Sequence, residues 1–247
     1  PRSSSAASDV YKRQGQDLDV CCFARVDGLV LPLKRFEHRE GEVVTLTECE
    51  LGCDTQWFAT PEIEAYLQEV DAWSDLIVGN QGLKWGRGFH ASDCRTAARH
   101  LSWVTRTYEL AGHWFCEWGA GLGGISTCAA SLGMRVFGFE IDGRLVAKAK
   151  QLVENLDLVP QFLTGSFIHD SAEIRQQRSD FRAMDILEHS AWGRAPVSAE
   201  HVRLFYAYPW PGEEDWIYQL FDEVAGGEAL LFCFHGADEY SLRMRQH

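Results

Sequence analysis

Residues 114–140 read WFCEWGAGLGGISTCAASLGMRVFGFE and alternate between two kinds of pattern. An apolar run of strand length ends at Glu117, and a loop with four glycines follows it. Apolar residues at helical spacing come next and stop at Gly133, after which a second apolar run ends at Glu140. This order predicts a strand, a glycine loop, a helix and a second strand, which is the unit from which parallel sheets are built.

The same alternation continues toward the C terminus. Apolar positions predict a helix over 145–156, strands over 161–164, 202–207 and 229–234, and a helix around 216–221. Strands that alternate with helices are joined by right-handed crossovers within one open sheet. We therefore predict an α/β fold, a three-layer α/β/α Rossmann-like open sheet that is mostly parallel.

Three regions are predicted along the chain. Residues 1–14, PRSSSAASDVYKRQ, have no initiator Met and no apolar segment, and we interpret them as a non-native leader. Residues 15–110 are predicted to form a small N-terminal β/helical extension with a glycine-rich loop. Residues 111–247 are predicted to form the main domain.

Within the extension, three strand-like runs between residues 20 and 48 predict a small β element. A helix is predicted from Pro61, and another over 100–110. The glycine-rich loop spans 79–89 and carries Lys84 and Arg87. Two hypotheses stay open for this loop, a lid over a ligand or a linker rich in turns.

The composition limits the partners of the protein. The 247 residues include 23 Lys and Arg against 36 Asp and Glu, which gives a net charge of −13. Nucleic-acid binding takes its sequence-independent affinity from positive charge, so a nucleic-acid partner is not expected. No run approaches the roughly 18 apolar residues of a membrane span. The expected partner is a small molecule or a basic protein segment.

The eight cysteines favour a reduced, cytoplasmic protein, because several lie inside apolar runs and the spacing is not that of a disulfide scaffold. The alternative, a zinc site, would use Cys21, Cys22, Cys49 and Cys53. Two adjacent cysteines and a spacing of four match the usual paired zinc ligands poorly. We therefore predict no metal site.

The glycine loop is the main candidate for a binding site. Glycines between a strand and a helix let the backbone approach a ligand closely, next to the amides of the helix N-terminus. Glu140 ends the next strand, 21 residues after Gly119. A carboxylate at that position can accept both hydroxyl protons of a ribose, so the pair predicts a ligand that contains adenosine.

Two classes of ligand fit the glycines. The loop satisfies the dinucleotide pattern G-x-G-x-x-G at Gly119, Gly121 and Gly124, and also E-x-G-x-G-x-G from Glu117 to Gly123. A pyrophosphate about 4–6 Å from Glu117 would be repelled by about 3–4 kcal/mol at an effective dielectric constant near 20. S-adenosylmethionine instead brings a sulfonium and an ammonium. The acid favours this cation, but an NAD(P)-dependent oxidoreductase stays an alternative.

Residues 114–236 resemble the class I S-adenosylmethionine-dependent methyltransferases, in which an acid precedes alternating glycines and a second acid ends the next strand. The resemblance implies that Glu140 binds the ribose, that Ile141 packs on the adenine and that Ser166 lies near the adenine edge. The family often has an acid in place of Ser166. The methionine part is assigned by the same resemblance to Glu117, Gly119, Gly121 and Gly123. A non-catalytic module that binds S-adenosylmethionine is a third alternative.

Many members of this family also have an antiparallel hairpin at the edge of the sheet. Here the chain stops eleven residues after Gly236, so the hairpin is expected to be absent or truncated.

The segment YAYPWPGEE, residues 206–214, follows a predicted strand and is expected to shape the acceptor side. Tyr206 could attract the sulfonium through its ring. Tyr208 and Glu213 are the catalytic candidates, because either could accept a proton if the acceptor arrives protonated. Glu214 and His235 are further candidates for a base. The acceptor itself, a small molecule or a protein side chain, is left open.

Overall fold

The structure is a computed structural model that describes residues 23–26, 29–32, 46–79, 89–170, 189–209 and 212–245. The chain divides into two compact units, Pro1–Glu42 and Val43–His247. In the first unit, β1 (Phe23–Val26) and β2 (Leu29–Pro32) form an antiparallel pair. Both strands lie within the runs that the sequence predicted.

A seven-stranded sheet forms the centre of the second unit, in the order β3-β9-β8-β7-β4-β5-β6. The five strands from β8 to β6 in this order pair in parallel, whereas β9 is antiparallel to both of its neighbours. The strands are β3 (Leu46–Cys49), β4 (Trp114–Trp118), β5 (Arg135–Glu140), β6 (Gln161–Thr164), β7 (Val202–Ala207), β8 (Leu230–Gly236) and β9 (Glu239–Arg245).

Five α-helices lie in the described part of the chain: α1 (Pro61–Gly79), α2 (Cys94–Thr107), α3 (Gly124–Ser131), α4 (Gly143–Val153) and α5 (Glu214–Val224). The sequence predicted all of them, but it began α2 at residue 100, which was wrong by six residues. The true start is set by Asp93, whose side chain accepts hydrogen bonds from the backbone N–H groups of Arg95 and Thr96.

Both faces of the sheet are covered by helices. Along β4, Phe115 belongs to one hydrophobic core and Cys116 to the other, and β7 and β8 alternate in the same way. Helices α1, α2 and α3 bury their apolar faces in the first core, and α5 buries its own in the second. This alternation is typical of strands that are covered on both sides. The predicted three-layer, mostly parallel α/β/α fold is confirmed.

The antiparallel edge of the sheet was not predicted correctly. A tight turn at Ala237 and Asp238, both with positive φ, leads from β8 into β9, and β3 then pairs with β9. In the place of the family's edge hairpin, which was expected to be absent or truncated, this chain has β9, and the outer strand comes from the N-terminal side of the chain. The prediction that residues 46–48 belong to a small β element was wrong, because β3 is part of the main sheet.

Helices α1 and α2, which the sequence placed in the N-terminal extension, pack on α3 and α4 within the second unit. The domain boundary between residues 110 and 111 stays a prediction. None of the helices in the described ranges combines the length and the apolar character needed to cross a bilayer.

Candidate functional site

The glycine loop connects β4 to α3 at the edge of the sheet where the parallel strands end. Gly119, Gly121 and Gly123 have φ values of +79°, +53° and +78°, which side chains rarely adopt. The N–H groups of Gly119 and Ala120 both donate to the Phe139 carbonyl, at 3.0 and 2.7 Å. Gly123 N–H donates to the Ala120 carbonyl at 2.7 Å. The loop is thus fastened to the end of β5 and closed by its own turn.

The three glycines differ in what surrounds them. A Cβ atom on Gly121 would lie 2.8 Å from the ring of Phe89, and one on Gly123 would lie 2.3 Å from the ring of Phe162. Among the residues that the structure describes, none would lie within 4 Å of a Cβ atom on Gly119. Gly119 therefore marks the side of the loop that a ligand could approach.

Glu140 ends β5 directly beside this loop. Its Oε2 accepts the Gly121 N–H at 3.0 Å, and its Oε1 accepts the Asp142 N–H at 2.9 Å. Burial raises the pKa of the carboxyl, while the backbone donors oppose that rise. An ionised carboxylate has about four acceptor positions, and the backbone donors do not fill all of them. The structure holds this carboxylate in one orientation and leaves it able to accept a further donor.

Glu117 is buried, with 3% of its surface exposed. Its Oε2 accepts the Ser126 N–H at 2.9 Å and the Ser126 hydroxyl at 2.5 Å. Ser126 lies in the first turn of α3, whose N-cap residue is Gly123 and has no side chain to bind that amide. Glu117 thus caps α3 from the neighbouring strand, a role that the sequence did not reveal.

The environment of Glu117 changes its titration. Burial raises its pKa from 4.5 to about 8, the two hydrogen bonds from Ser126 oppose the rise, and the charge of Glu140 adds to it. The carboxyl is therefore mainly protonated near neutral pH when no cation is close to it. A cation bound beside it would favour the ionised form.

The other two residues assigned to the adenine lie at neighbouring strand ends. Ile141 follows Glu140 and is half-buried. Ser166 lies two residues after β6 and is fully buried. Its N–H donates to the His189 carbonyl at 3.1 Å, and its hydroxyl oxygen accepts the Ile168 N–H at 3.1 Å. Ser166 therefore helps to hold the turn after β6, and its contact with a ligand stays a prediction.

Tyr206 and Tyr208 lie at the end of β7, next to β4. Tyr206 pairs in register with Glu117, is 1% exposed, and its hydroxyl donates to Ser92 Oγ at 3.3 Å. Burial raises the pKa of Tyr206 well above its usual value. Tyr208 is half-buried, and its ring lies 4.7 Å from that of Phe234. The sheet thus places Tyr206 beside Glu117, whereas the Tyr208 ring packs against β8.

The remaining base candidates lie around α5 and β8. Glu213 immediately precedes α5, and Glu214 accepts the Gly212 N–H at 2.8 Å. His235 Nε2 lies 2.8 Å from Ser241 Oγ across the β8–β9 hairpin, and burial lowers the pKa of this histidine. Glu214 and His235 thus have structural contacts. For Glu213 the catalytic assignment stays a prediction.

Two other hypotheses fall partly outside the described residues. Residues 80–88, with Lys84 and Arg87, are outside them, and so are Cys21 and Cys22. Within the ranges that the structure describes, no group of three or more His, Cys, Asp or Glu could hold a metal ion. Phe89, at the end of the glycine-rich segment, contacts Gly121 and was missed, because no sequence signal links an aromatic residue to a loop 32 positions away.

No family model and no curated protein matches the chain. Solved structures do show similarity. An RNA methyltransferase from Salinibacter ruber in complex with S-adenosyl-L-homocysteine is 14% identical, covering 60% of this chain and 90% of that chain, with a TM-score of 0.41. A methyltransferase from Geobacter sulfurreducens is 15% identical over 79% of this chain and 100% of that chain, with a TM-score of 0.47.

A third similar structure is the magnesium protoporphyrin IX methyltransferase from Synechocystis PCC 6803 with bound S-adenosyl-L-homocysteine. It is 17% identical, covering 67% of this chain and 66% of that chain, with a TM-score of 0.41. Each of these similarities is one of overall fold at low sequence identity.

Proposed function

We propose that the protein is an S-adenosylmethionine-dependent methyltransferase that acts on a small molecule or a protein side chain. The observation that carries the proposal is that the backbone N–H groups of the glycine loop already donate hydrogen bonds within the protein. The N–H groups of Gly119, Ala120, Gly121 and Gly123 all donate to acceptors within the protein. A pyrophosphate depends on such amides. Their engagement, together with two acids beside the loop, supports a cationic ligand that contains adenosine.

The roles of the residues follow from their positions. Glu140 would accept the two ribose hydroxyls, with Ile141 and Ser166 beside the adenine. The open side at Gly119 would receive the methionine part, beside Gly121, Gly123 and Glu117. Tyr206 would lie behind the sulfonium. Tyr208 and Glu213 would face the acceptor.

The main requirement of methyl transfer is that the acceptor is aligned with the methyl group. When bound, S-adenosylmethionine would supply a methyl group that is activated by the sulfonium. The chain would hold the acceptor in line with that methyl group, and positioning of this kind can supply about 7–11 kcal/mol of a barrier. Tyr208 or Glu213 would take a proton only from an acceptor that arrives protonated.

The class of cofactor can be tested by ligand-dependent stability. S-adenosylhomocysteine at about 100 times its Kd should stabilise the protein by about 2.7 kcal/mol, which raises the Tm by about 5–10 °C. NAD(H) at the same concentration should leave the Tm unchanged. The opposite result in a thermal-shift experiment would favour an oxidoreductase. Stabilisation without methyl transfer to any acceptor in a panel, or to the protein itself, would indicate a non-catalytic module.

Two glycine variants test where the ligand approaches. Gly119→Ala should cost about 1–2 kcal/mol of stability through its left-handed backbone. It should weaken S-adenosylhomocysteine binding at least about tenfold, because the new methyl group occupies the open side of the loop. Gly123→Ala has a similar φ, but its methyl group would also meet the Phe162 ring and add about 1–3 kcal/mol of overpacking.

Urea denaturation and titration calorimetry would separate these effects. The expected order is that Gly123→Ala is the less stable variant, while Gly119→Ala stays folded and loses affinity. Wild-type affinity in folded Gly119→Ala would show that the ligand does not approach on that side.

A further inference from the structure

Tyr66 on α1 reaches the glycine loop from a distant part of the chain. The residue is 4% exposed, and its hydroxyl donates to the Leu122 carbonyl at 3.2 Å. The same hydroxyl lies 2.9 Å from Thr127 Oγ1, which donates to it. Thr127 Oγ1 is also 2.9 Å from the Gly123 carbonyl. Tyr66 therefore donates to the Leu122 carbonyl and accepts from Thr127, whose one hydroxyl proton can reach either Tyr66 or the Gly123 carbonyl.

The Leu122 carbonyl depends on this contact. Leu122 is 2% exposed, and within the described ranges no backbone N–H donates to its carbonyl. A buried carbonyl without a donor is unfavourable, so Tyr66 meets a requirement of the loop itself.

The contact also fixes a peptide plane. The Leu122 carbonyl and the Gly123 N–H belong to one planar peptide unit. Tyr66 holds its carbonyl end, while the Ala120 carbonyl accepts its N–H end at 2.7 Å. The turn so closed contains Gly121, whose N–H binds Glu140. The orientation of the loop is thus set from α1 on one side and from β5 on the other.

We propose that Tyr66 is a positioning residue, whose hydroxyl holds the glycine loop in the conformation that receives the amino-acid part of S-adenosylmethionine. The inference rests on the proposed function and adds a residue from the N-terminal side of the chain to the cofactor site. From the sequence alone, a tyrosine on the apolar face of α1 is predicted to be an ordinary core residue. Only the hydroxyl contact distinguishes it from Leu67 and Val70, its buried neighbours on the same helix.

The test compares two ligands and three variants. S-adenosylhomocysteine has the amino-acid part, whereas 5′-methylthioadenosine keeps the adenosine and the thioether without it. Tyr66→Phe should weaken S-adenosylhomocysteine about tenfold, equivalent to about 1.4 kcal/mol, and change the affinity for 5′-methylthioadenosine less than about twofold. Thr127→Val should act in the same direction.

Ser74→Ala is the matched control. Ser74 is a buried hydroxyl on the same helix, and its hydrogen bond goes to the Val70 carbonyl within α1. This variant should change neither affinity. Calorimetric titration gives the affinities, and urea denaturation gives the stability of each variant.

Equal losses for both ligands in Tyr66→Phe, or no loss for either, would overturn the positioning role while leaving the methyltransferase proposal intact. A wild-type protein that binds neither ligand would overturn both. The selective loss of S-adenosylhomocysteine affinity is the one result that supports Tyr66 as a positioning residue.

Discussion

Glu140→Gln should lower the affinity for S-adenosylhomocysteine by at least about 100-fold while the protein stays folded. Each charge-assisted hydrogen bond to a ribose hydroxyl is worth about 1.5–3 kcal/mol, and the substitution removes the charge from two of them. The amide nitrogen of the glutamine is also a donor. It would face either the Gly121 N–H or the Asp142 N–H, both of which need an acceptor.

The ribose contact can be separated from damage to the loop with a modified ligand. Wild-type protein should bind the 2′-deoxy analogue of S-adenosylhomocysteine about tenfold or more weakly than the parent compound. In Glu140→Gln this difference should nearly disappear, since the partner of the missing hydroxyl is gone. Titration calorimetry with both ligands measures the coupling.

Glu64→Gln serves as the control for removing an acid. Glu64 lies on α1 and pairs with Arg95 at 2.7 Å, so its loss should affect stability rather than the ligand. An undiminished preference for the 2′-hydroxyl in Glu140→Gln would show that another residue binds the ribose.

The parts of the fold that are determined by residues close together in the sequence could be predicted. Strands β6 and β7 begin and end where the apolar runs do. The glycine loop and the place of Glu140 beside it also follow, because parallel strands in adjacent positions bring their carboxyl ends to the same edge.

Contacts between distant residues could not be predicted in this way. Strand β3 pairs with β9, which lies roughly 200 positions away in the sequence. The pattern of neither strand identifies the strand with which it pairs. Likewise, the sequence did not reveal that Glu117 accepts the Ser126 N–H, a contact that the helix uses because the N-cap residue of α3 is a glycine. The contact of Glu117 with a ligand stays a prediction. Tyr66 and Phe89 reach the loop through tertiary packing alone.

The capping role of Glu117 leads to a prediction about pH. The pKa of this carboxyl is raised from 4.5 to about 8 by burial, so the folded protein keeps a proton that the unfolded chain releases. Stability should therefore fall as the pH rises through this window, by about 1.4 kcal/mol per pH unit. Between about pH 5 and about pH 8 the contribution amounts to about 4 kcal/mol.

Glu117→Gln should remove this dependence. The glutamine side chain resembles the protonated acid, and its oxygen can still accept both hydrogen bonds from Ser126. Subtracting the unfolding free energy of the variant from that of the wild type at each pH isolates Glu117 from the other titrating groups. The unfolding free energy of the variant should rise relative to that of the wild type as the pH rises, and the variant should be the more stable of the two near pH 8.

Ligand binding gives a second, independent measurement of the same group. If Glu117 meets the ammonium of the cofactor, binding of S-adenosylhomocysteine near pH 7 should release up to about one proton more from the wild-type protein than from Glu117→Gln. Calorimetry in buffers of different ionisation enthalpy counts these protons. Equal proton release from the two proteins would mean that Glu117 only caps α3. Parallel stability profiles would mean that its carboxyl titrates normally despite its burial.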